Sequence, residues 1–148
     1  MQSETFRVLF TRDLEKLKQE IYAYQNEEKI WKIENSIQNS AGNLCLHLIG
    51  NLNTYIGAQL GKTVYLRNRE AEFVLKNIPR EELIAQLEKT IITIAETFDQ
   101  ISDEQLYERY PGETPLKEAT THYFLIHLAM HLAYHLGQIN YHRRLLDN

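Results

Sequence analysis

Four long segments of the chain alternate apolar and polar positions with the period of an α-helix. In the first, residues 3–23, apolar side chains recur three or four residues apart and charged side chains occupy the opposite face. The apolar positions of this segment are Phe6, Leu9, Phe10, Leu14, Leu17 and Ile21. The same spacing recurs in residues 40–60, 79–101 and 114–146, and no segment shows the strict alternation of a β-strand.

Residues that favour helix ends bound these segments. Ser40 suits an N-cap, and Gly61 suits the end of the second helix. Pro79 and Pro115 suit the first turn of the third and fourth helices. Four helices of about 20 to 32 residues are typical of a helix bundle. The pattern therefore predicts an all-α protein that folds as one four-helix-bundle domain over residues 1–148.

The connections between these helices differ in length and chemistry. Residues 102–113 are polar and contain Pro111-Gly112, whereas residues 61–78 form a longer connection with two arginines and two glutamates. A long connection in a compact domain is often functional. Two roles stay open for it, a lid over a site and an element of a dimer interface.

Composition and charge exclude several classes of function. Hydrophobic residues make up 43% of the chain and charged residues 24%, with a net charge of −4, which is ordinary for a globular domain. No basic cluster predicts a nucleic-acid partner, and the apolar runs are too short to cross a membrane. Cys45 is the single cysteine, which excludes an intramolecular disulfide. With no signal segment visible, we expect a cytoplasmic location.

The most informative pattern lies in the last predicted helix, where His127, His131 and His135 follow one another four residues apart. On an α-helix this spacing places them along one stripe, with neighbours about 6 Å apart. Two imidazoles one turn apart can bind one metal ion, and a third ligand from a facing helix would leave a coordination position free. His47, in the second predicted helix, is the candidate for that ligand.

The spacing alone does not separate a metal site from two plainer alternatives. The three histidines of the last helix could line a solvated face, and His47 could be a core histidine satisfied by a hydrogen bond. The residues between the three histidines are apolar or small, however, and an unpaired imidazole among them costs about 1–3 kcal/mol. One metal ion would satisfy several such imidazoles together, so the pattern favours a metal site.

Three stretches of the chain resemble the DinB-like (YfiT-like) superfamily over nearly the whole length. The last-helix motif of that superfamily is similar to His127-Leu-Ala-Met-His131-Leu-Ala-Tyr-His135-Leu-Gly-Gln-Ile. Its second-helix histidine is similar to His47 in Leu-His-Leu-Ile-Gly-Asn-Leu. A segment found in a related subfamily without known function resembles Arg67-Asn-Arg69-Glu-Ala-Glu-Phe.

The resemblance implies a four-helix bundle, often homodimeric, with a three-histidine metal site. By position, the implied ligands are His47, His131 and His135. The implied ion is divalent, with zinc and nickel as the foremost candidates, since neutral imidazoles suit such ions. Some relatives use low-molecular-weight thiols, as S-transferases or as a maleylpyruvate isomerase, whereas many have no known activity.

Taken together, the residues and the resemblance predict a metal-dependent enzyme acting on small molecules, with thiol S-transfer as the leading hypothesis. A bound ion would lower the pKa of a thiol or a water and so generate a nucleophile at neutral pH. A metal-dependent hydrolase remains an alternative, as does a non-enzymatic dimeric bundle with a structural or vestigial metal site. The chain has no phosphate-binding loop, no nucleophile elbow and no Glu-x-x-His pair of a di-iron bundle.

Five further residues are predicted to bind substrate or to support the ligands. His127, Gln138 and His142 continue the histidine stripe, where they would contact a substrate or orient an imidazole. A solvated helix end is the alternative for Gln138 and His142. Arg67 and Arg69 would bind a carboxylate. The alternative for these two arginines is a salt-bridge network with the two neighbouring glutamates.

Overall fold

The computed structural model, which describes residues 1–148, contains helices and no β-strand. A 3₁₀ helix, Glu27–Trp31, follows the first helix, and a π-helical turn, Asn53–Ala58, follows the second. The α-helices are α1 (Gln2–Ala23), α2 (Ala41–Leu52), α3 (Arg69–Val74), α4 (Arg80–Gln100), α5 (Asp103–Leu106) and α6 (Thr121–Leu146). The all-α prediction is confirmed.

The predicted helices over residues 3–23 and 79–101 correspond closely to α1 and α4. The segment 40–60 begins as predicted, because the Ser40 hydroxyl accepts a hydrogen bond from the Asn43 amide. Its α-helical hydrogen bonding ends at Leu52, and the chain continues as the π-helical turn. A π-helical turn widens the helix and is frequent at functional sites.

The predicted start of the last helix at Thr114 is wrong, because α6 begins at Thr121. The Thr114 hydroxyl instead accepts a hydrogen bond from the Leu116 amide and closes a local turn around Pro115. Glu118 then has a φ of 53°, in the left-handed region, which a continuous right-handed helix does not allow. The true N-cap is Thr120, whose hydroxyl accepts from the Tyr123 amide.

The four longer helices share one cluster of buried hydrophobic side chains. Helix α1 packs against α4 and α6, and α2 packs against the same two helices from the other side. Where α1 meets α4, the ring of Phe98 stacks on Phe10 with centroids 5.7 Å apart and on Phe6 at 6.1 Å. This packing places α2, which carries His47, next to α6, which carries His131 and His135.

The long connection after α2 is fastened across that helix. The Asn43 side chain is buried on α2, and its Nδ2 donates to the backbone oxygens of Glu72 at 2.9 Å and Leu75 at 2.8 Å. The Lys76 ammonium donates to Asn43 Oδ1 at 2.6 Å. These contacts hold α3 and the residues that follow it against α2, so the second half of the connection is fastened to the bundle.

Helix α6 is partly exposed, yet most of its length carries no charged side chain. Residues 121–142 contain no aspartate, glutamate, lysine or arginine. Its inner face packs into the core, while Tyr123, Met130, Tyr134 and Tyr141 are each at least 60% exposed on the outer face. No helix of the chain combines the length and the apolar character needed to cross a membrane.

Candidate metal centre

Three histidine side chains from two helices meet where α2 crosses α6. Helix α2 presents His47, and α6 presents His131 and His135 from successive turns. The Nε2 atom of His131 lies 3.2 Å from Nε2 of His47 and 3.1 Å from Nε2 of His135. The three candidate ligand atoms all lie within 4.8 Å of one another. The structure thus brings together the three histidines that the sequence singled out.

The spacing of these nitrogens fits ligands around one ion. Zinc binds histidine nitrogens at about 2.0–2.1 Å, which places two tetrahedral ligands about 3.3 Å apart. The observed separations of 3.1 and 3.2 Å are close to that value. The ring of His131 is nearly perpendicular to those of His47 and His135, at 78° and 89°. The His131 ring therefore meets the other two rings edge to face, with its Nε2 within hydrogen-bond distance of both of their Nε2 atoms.

Hydrogen bonds on the far side of two rings determine where their protons sit. His47 Nδ1 lies 3.0 Å from Glu72 Oε1, and an ionised carboxylate only accepts, so this nitrogen carries the proton and donates. His135 Nδ1 is 2.7 Å from Gln138 Oε1 and donates in the same way. In its neutral form each ring has a lone pair on Nε2, and that nitrogen lies 3.2 Å (His47) or 3.1 Å (His135) from Nε2 of His131.

His131 cannot satisfy both neighbours. A single proton on its Nε2 makes one hydrogen bond, to His47 or to His135, and the other lone pair stays without a donor. Its Nδ1 is buried without any partner in the protein. A cation at the centre would give all three Nε2 lone pairs a partner, so the donor set fits a metal ion.

The electrostatics of the cluster favour the ligating form of two of its imidazoles, His131 and His135. Burial lowers the pKa of His131 to about 4, and the neighbouring His135 and His47 add to the effect. Burial also lowers the pKa of His135, against the raising effect of its hydrogen bond with Gln138. Metal binding requires neutral imidazole, so these two rings are ready to ligate at neutral pH.

Glu72 links the cluster to an arginine. Its carboxylate receives two hydrogen bonds from Arg67, Nε to Oε2 at 2.8 Å and Nη2 to Oε1 at 2.9 Å. Burial opposes ionisation of Glu72, but the hydrogen bonds from His47 and Arg67 outweigh it and lower the pKa of the carboxyl. Arg67 therefore takes part in the salt-bridge network that was the alternative to carboxylate binding. The chain Arg67–Glu72–His47 is the kind of support that metal-ligating histidines have.

Gly50 makes room for that carboxylate. It lies three residues after His47 on α2, and a Cβ built there would be 1.9 Å from Glu72 Oε2. Any side chain at this position would therefore displace the carboxylate. The sequence alone does not single out this glycine, because Gly137 is equally helical and a Cβ there would meet nothing within 4 Å.

One family comparison identifies the chain. A family described as protein of unknown function (DUF1572) matches residues 4–148. The chain belongs to the DUF1572 family. Comparisons with curated proteins and with solved structures give no match. Family membership does not itself supply a reaction, so the function of this DUF1572 protein must be argued from its site.

Of the other predicted residues of the DUF1572 chain, three lie beside the cluster. Gln138 contacts His135 as described. His127 is exposed one turn before His131, and its ring stacks on Phe124 with centroids 5.9 Å apart. The Arg69 guanidinium lies over the ring of Phe73 at 5.9 Å.

His142 lies apart from the cluster. Its Nδ1 is 2.6 Å from the hydroxyl of Tyr24, and its Nε2 is 2.8 Å from the backbone oxygen of Lys32. The carbonyl oxygen requires a proton on Nε2, so Nδ1 accepts from the tyrosine. With both nitrogens engaged, the buried ring ties α6 to the end of α1 and the segment that follows it.

A cavity of about 400 Å³ adjoins the histidines, and two of the residues around it were missed at the level of the sequence. Asn51 and Tyr55 follow His47 at successive steps of four, so they continue its stripe toward the cavity. Extending the helical period from His47 would have found both. His127, Arg67 and Arg69 line the same cavity, as do Pro115, Phe124, Leu128 and His131.

Proposed function

We propose that this DUF1572 protein is a divalent-metal-dependent enzyme acting on small molecules, with His47, His131 and His135 as the ligands. The observation that carries the proposal is the convergence of three Nε2 atoms, two of them with lone pairs fixed by Glu72 and Gln138. When bound, a divalent ion supplies Lewis acidity and lowers the pKa of a coordinated thiol or water.

The finer parts of the proposal concern the fold and the ion. The packing of α1, α2, α4 and α6 around one core supports a four-helix bundle of the DinB-like kind. Three neutral imidazoles favour zinc or nickel over magnesium or calcium, because the latter prefer oxygen ligands.

Thiol S-transfer is the reaction we propose. Three protein ligands leave a fourth coordination position for an incoming group, which is the arrangement of catalytic rather than structural zinc sites. The adjoining cavity gives a second small molecule a place next to that position. The choice of a thiol rests on the resemblance of the histidine motifs to the DinB-like superfamily, some of whose members use low-molecular-weight thiols.

The metal site is tested by elemental analysis of protein purified without an affinity tag. We expect about one zinc or nickel ion per chain in wild type, and its loss in His47→Ala and His131→Ala, because each variant leaves two ligands. His122→Ala is the matched control. His122 also lies on α6, but outside the cluster, where its ring stacks on that of Tyr107. Wild type that binds neither ion after incubation with zinc and nickel would overturn the proposal.

The reaction is tested next, on metal-loaded wild type and on His131→Ala. Glutathione with chlorodinitrobenzene is the thiol-transfer reporter, and p-nitrophenyl acetate without thiol is the hydrolysis reporter. We expect metal-loaded wild type to turn over glutathione with chlorodinitrobenzene, and we expect metal-free protein and His131→Ala not to do so. Turnover of the ester alone would replace the transferase by a hydrolase. A loaded protein inactive on both would favour the non-enzymatic alternative.

Assembly as a homodimer is also part of the proposal. The outer face of α6 exposes Tyr123, Met130, Tyr134 and Tyr141, spaced by seven, four and seven residues. This is the heptad-like spacing with which one helix packs along another. Because the face carries no charge between residues 121 and 142, a second copy of itself is a complementary partner about a two-fold axis.

A cytoplasmic location completes the proposal. Cys45 is free and fully buried, and burial raises the pKa of its thiol to about 12. A free cysteine that is neither paired nor ionised needs no oxidising compartment, which supports the reducing cytoplasm.

A further inference from the structure

The cavity beside the three histidines has the size of a small-molecule site and a polar wall. Its volume of about 400 Å³ falls in the range of ordinary ligand pockets. His47 and His131 form the side toward the cluster, and Tyr55 and Phe124, whose rings meet edge to face at 5.0 Å, form an aromatic side. A molecule held there would lie directly against the proposed metal position.

The two arginines of this cavity, Arg67 and Arg69, differ in whether a carboxylate of the chain neutralises their charge. Arg67 is bound at two points to Glu72, so its charge is cancelled inside the protein. Arg69 forms no ion pair with any carboxylate of the chain, and its guanidinium lies on the ring of Phe73. Phe73 in turn packs on the His47 ring at 4.9 Å. The cavity is therefore bordered by one uncompensated positive charge, that of Arg69, which packs on the ring of Phe73.

A buried amide on the same wall lacks a partner. Asn51 is 7% exposed, its Oδ1 is buried without a hydrogen-bond donor, and its side chain lines the cavity. Buried polar atoms in proteins are almost always hydrogen-bonded, so an unpartnered one on a residue that lines a cavity is a candidate contact for a ligand group. The Asn51 oxygen is an acceptor, and the matching group is a hydroxyl or an amine.

These two groups limit the chemistry of the ligands that would suit the cavity. One free guanidinium offers parallel N–H donors and a single charge, which match one carboxylate. A phosphate carries more charge and is usually held by several cations or by a helix N-terminus. Of the two arginines that line the cavity, Arg67 is already paired with Glu72, and the helix that begins at Arg69 is only six residues long.

We infer that this cavity binds a small carboxylic acid that also carries a hydroxyl or amino group, with Arg69 holding the carboxylate and Asn51 accepting from the second group. The inference rests on the proposed function in one respect, because it takes the bound acid to be the substrate of the proposed enzyme. The contacts to Arg69 and Asn51 do not themselves require the metal.

The test is calorimetric titration of racemic malate into zinc-loaded and metal-free protein. Succinate lacks the hydroxyl, malamide lacks the charges, and inorganic phosphate is the competing anion. We expect malate to bind, succinate to bind more weakly, and malamide and phosphate not to saturate the site. Arg69→Gln should weaken malate binding about tenfold or more, because it removes a charge-assisted bidentate contact. Asn51→Ala should weaken malate toward the affinity of succinate.

The control is Arg144→Gln, because this guanidinium also lies over an aromatic ring, that of Tyr141 at 5.1 Å, but outside the cavity. It should leave malate binding unchanged. Equal affinity of wild type and Arg69→Gln for malate would overturn the inference, as would binding of phosphate as tight as malate or no saturable binding of either acid. The protein could fail to bind zinc and still bind malate in a way that depends on Arg69. That result would uphold the inference and reject the proposed function.

Discussion

Glu72 governs how His47 faces the cluster. Its carboxylate accepts from His47 Nδ1 on one side and from Arg67 on the other, so the ring is fixed in orientation and in tautomer. A carboxylate in this position also makes the opposite nitrogen a better electron donor. The affinity of the three histidines for an ion should therefore depend on a residue that does not touch the ion.

Glu72→Gln should weaken zinc binding about 10- to 100-fold, the usual cost of removing such a support. The measurement is competition against a chromophoric chelator at fixed pH. Glu70→Gln is the control, because Glu70 is an exposed carboxylate two residues earlier on the same short helix. Equal zinc affinities in the two variants would show that Glu72 serves only its ion pair with Arg67.

The sequence indicated the three histidines of the cluster but not the residues that support them, for a physical reason. His131 and His135 share one helix, so their proximity follows from the helical period alone. Glu72 reaches His47 only because Asn43 fastens α3 across α2, a tertiary contact that no local pattern specifies. The sequence therefore suggested a salt bridge for this glutamate without showing which histidine it also contacts.

At the scale of elements, α2 and α3 approach each other at one point that permits no side chain. A Cβ at Gly50 would lie 1.9 Å from Glu72 Oε2, whereas a Cβ at Gly137, on the outer face of α6, would meet nothing within 4 Å. The two glycines are both helical, so they differ only in their surroundings. They make a matched pair for experiment.

Gly50→Ala should lower the free energy of unfolding by about 1–3 kcal/mol, the usual cost of overpacking, and should weaken zinc binding as well. Gly137→Ala should raise the free energy of unfolding by about 0.5–1 kcal/mol through helix propensity. Urea denaturation of both variants gives the comparison. A Gly50→Ala protein as stable as Gly137→Ala would mean that α3 is not held closely against α2.

Another contact between elements makes stability depend on pH. Burial lowers the pKa of His142, which stays neutral between Tyr24 and Lys32 in the folded protein. In the unfolded chain its pKa is about 6.5. As pH falls below that value, the unfolded state binds the proton more readily, so folding stability is lost. Above that value this histidine contributes no pH dependence.

His142→Gln should therefore lose less stability than wild type between pH 6.5 and 5, by up to about 1.4 kcal/mol per pH unit. Urea unfolding of metal-free protein at several pH values measures it, since the cluster histidines contribute equally to both proteins. At neutral pH the variant should be the less stable one, because Tyr24 and Lys32 lose a buried partner. Parallel pH profiles would contradict the assignment.

Helix boundaries show where local patterns were sufficient. The Ser40 cap and the apolar period placed the start of α2 and nearly all of α1 and α4. The last helix was started too early because Pro115 suits a first helical turn. That proline instead belongs to a turn closed by the Thr114 hydroxyl, and the backbone reverses again at Glu118. Competing hydrogen bonds of this kind are not visible in hydrophobic periodicity.

At the scale of the whole molecule, the outer face of α6 is the feature that the single chain leaves uncovered. Met130 is 68% exposed at its centre, and Tyr134 beside it packs edge to face on His135 of the cluster, with ring centroids 5.4 Å apart. A partner on this face would therefore cover one side of the histidine cluster. The assembly implied by the sequence resemblance would then affect the chemistry of the site.

Met130→Glu should convert a dimer to a monomer, because a charge buried between two apolar faces has no partner. Size-exclusion chromatography with light scattering measures the mass. Ile92→Glu is the control, since Ile92 is a comparably exposed hydrophobic residue on α4, at 57%. Wild type that elutes as a monomer at micromolar concentrations, or Met130→Glu that remains dimeric, would reject α6 as the interface.

The close approach of Gly50 and Glu72 has a consequence for evolution within the DUF1572 family. Because a Cβ at one position occupies the space of the carboxylate at the other, the two sites should change together among relatives. Where descent has placed alanine at the position of Gly50, the position of Glu72 should have drifted to a shorter residue. Such lineages would be the natural places to look for relatives that lack the proposed metal site.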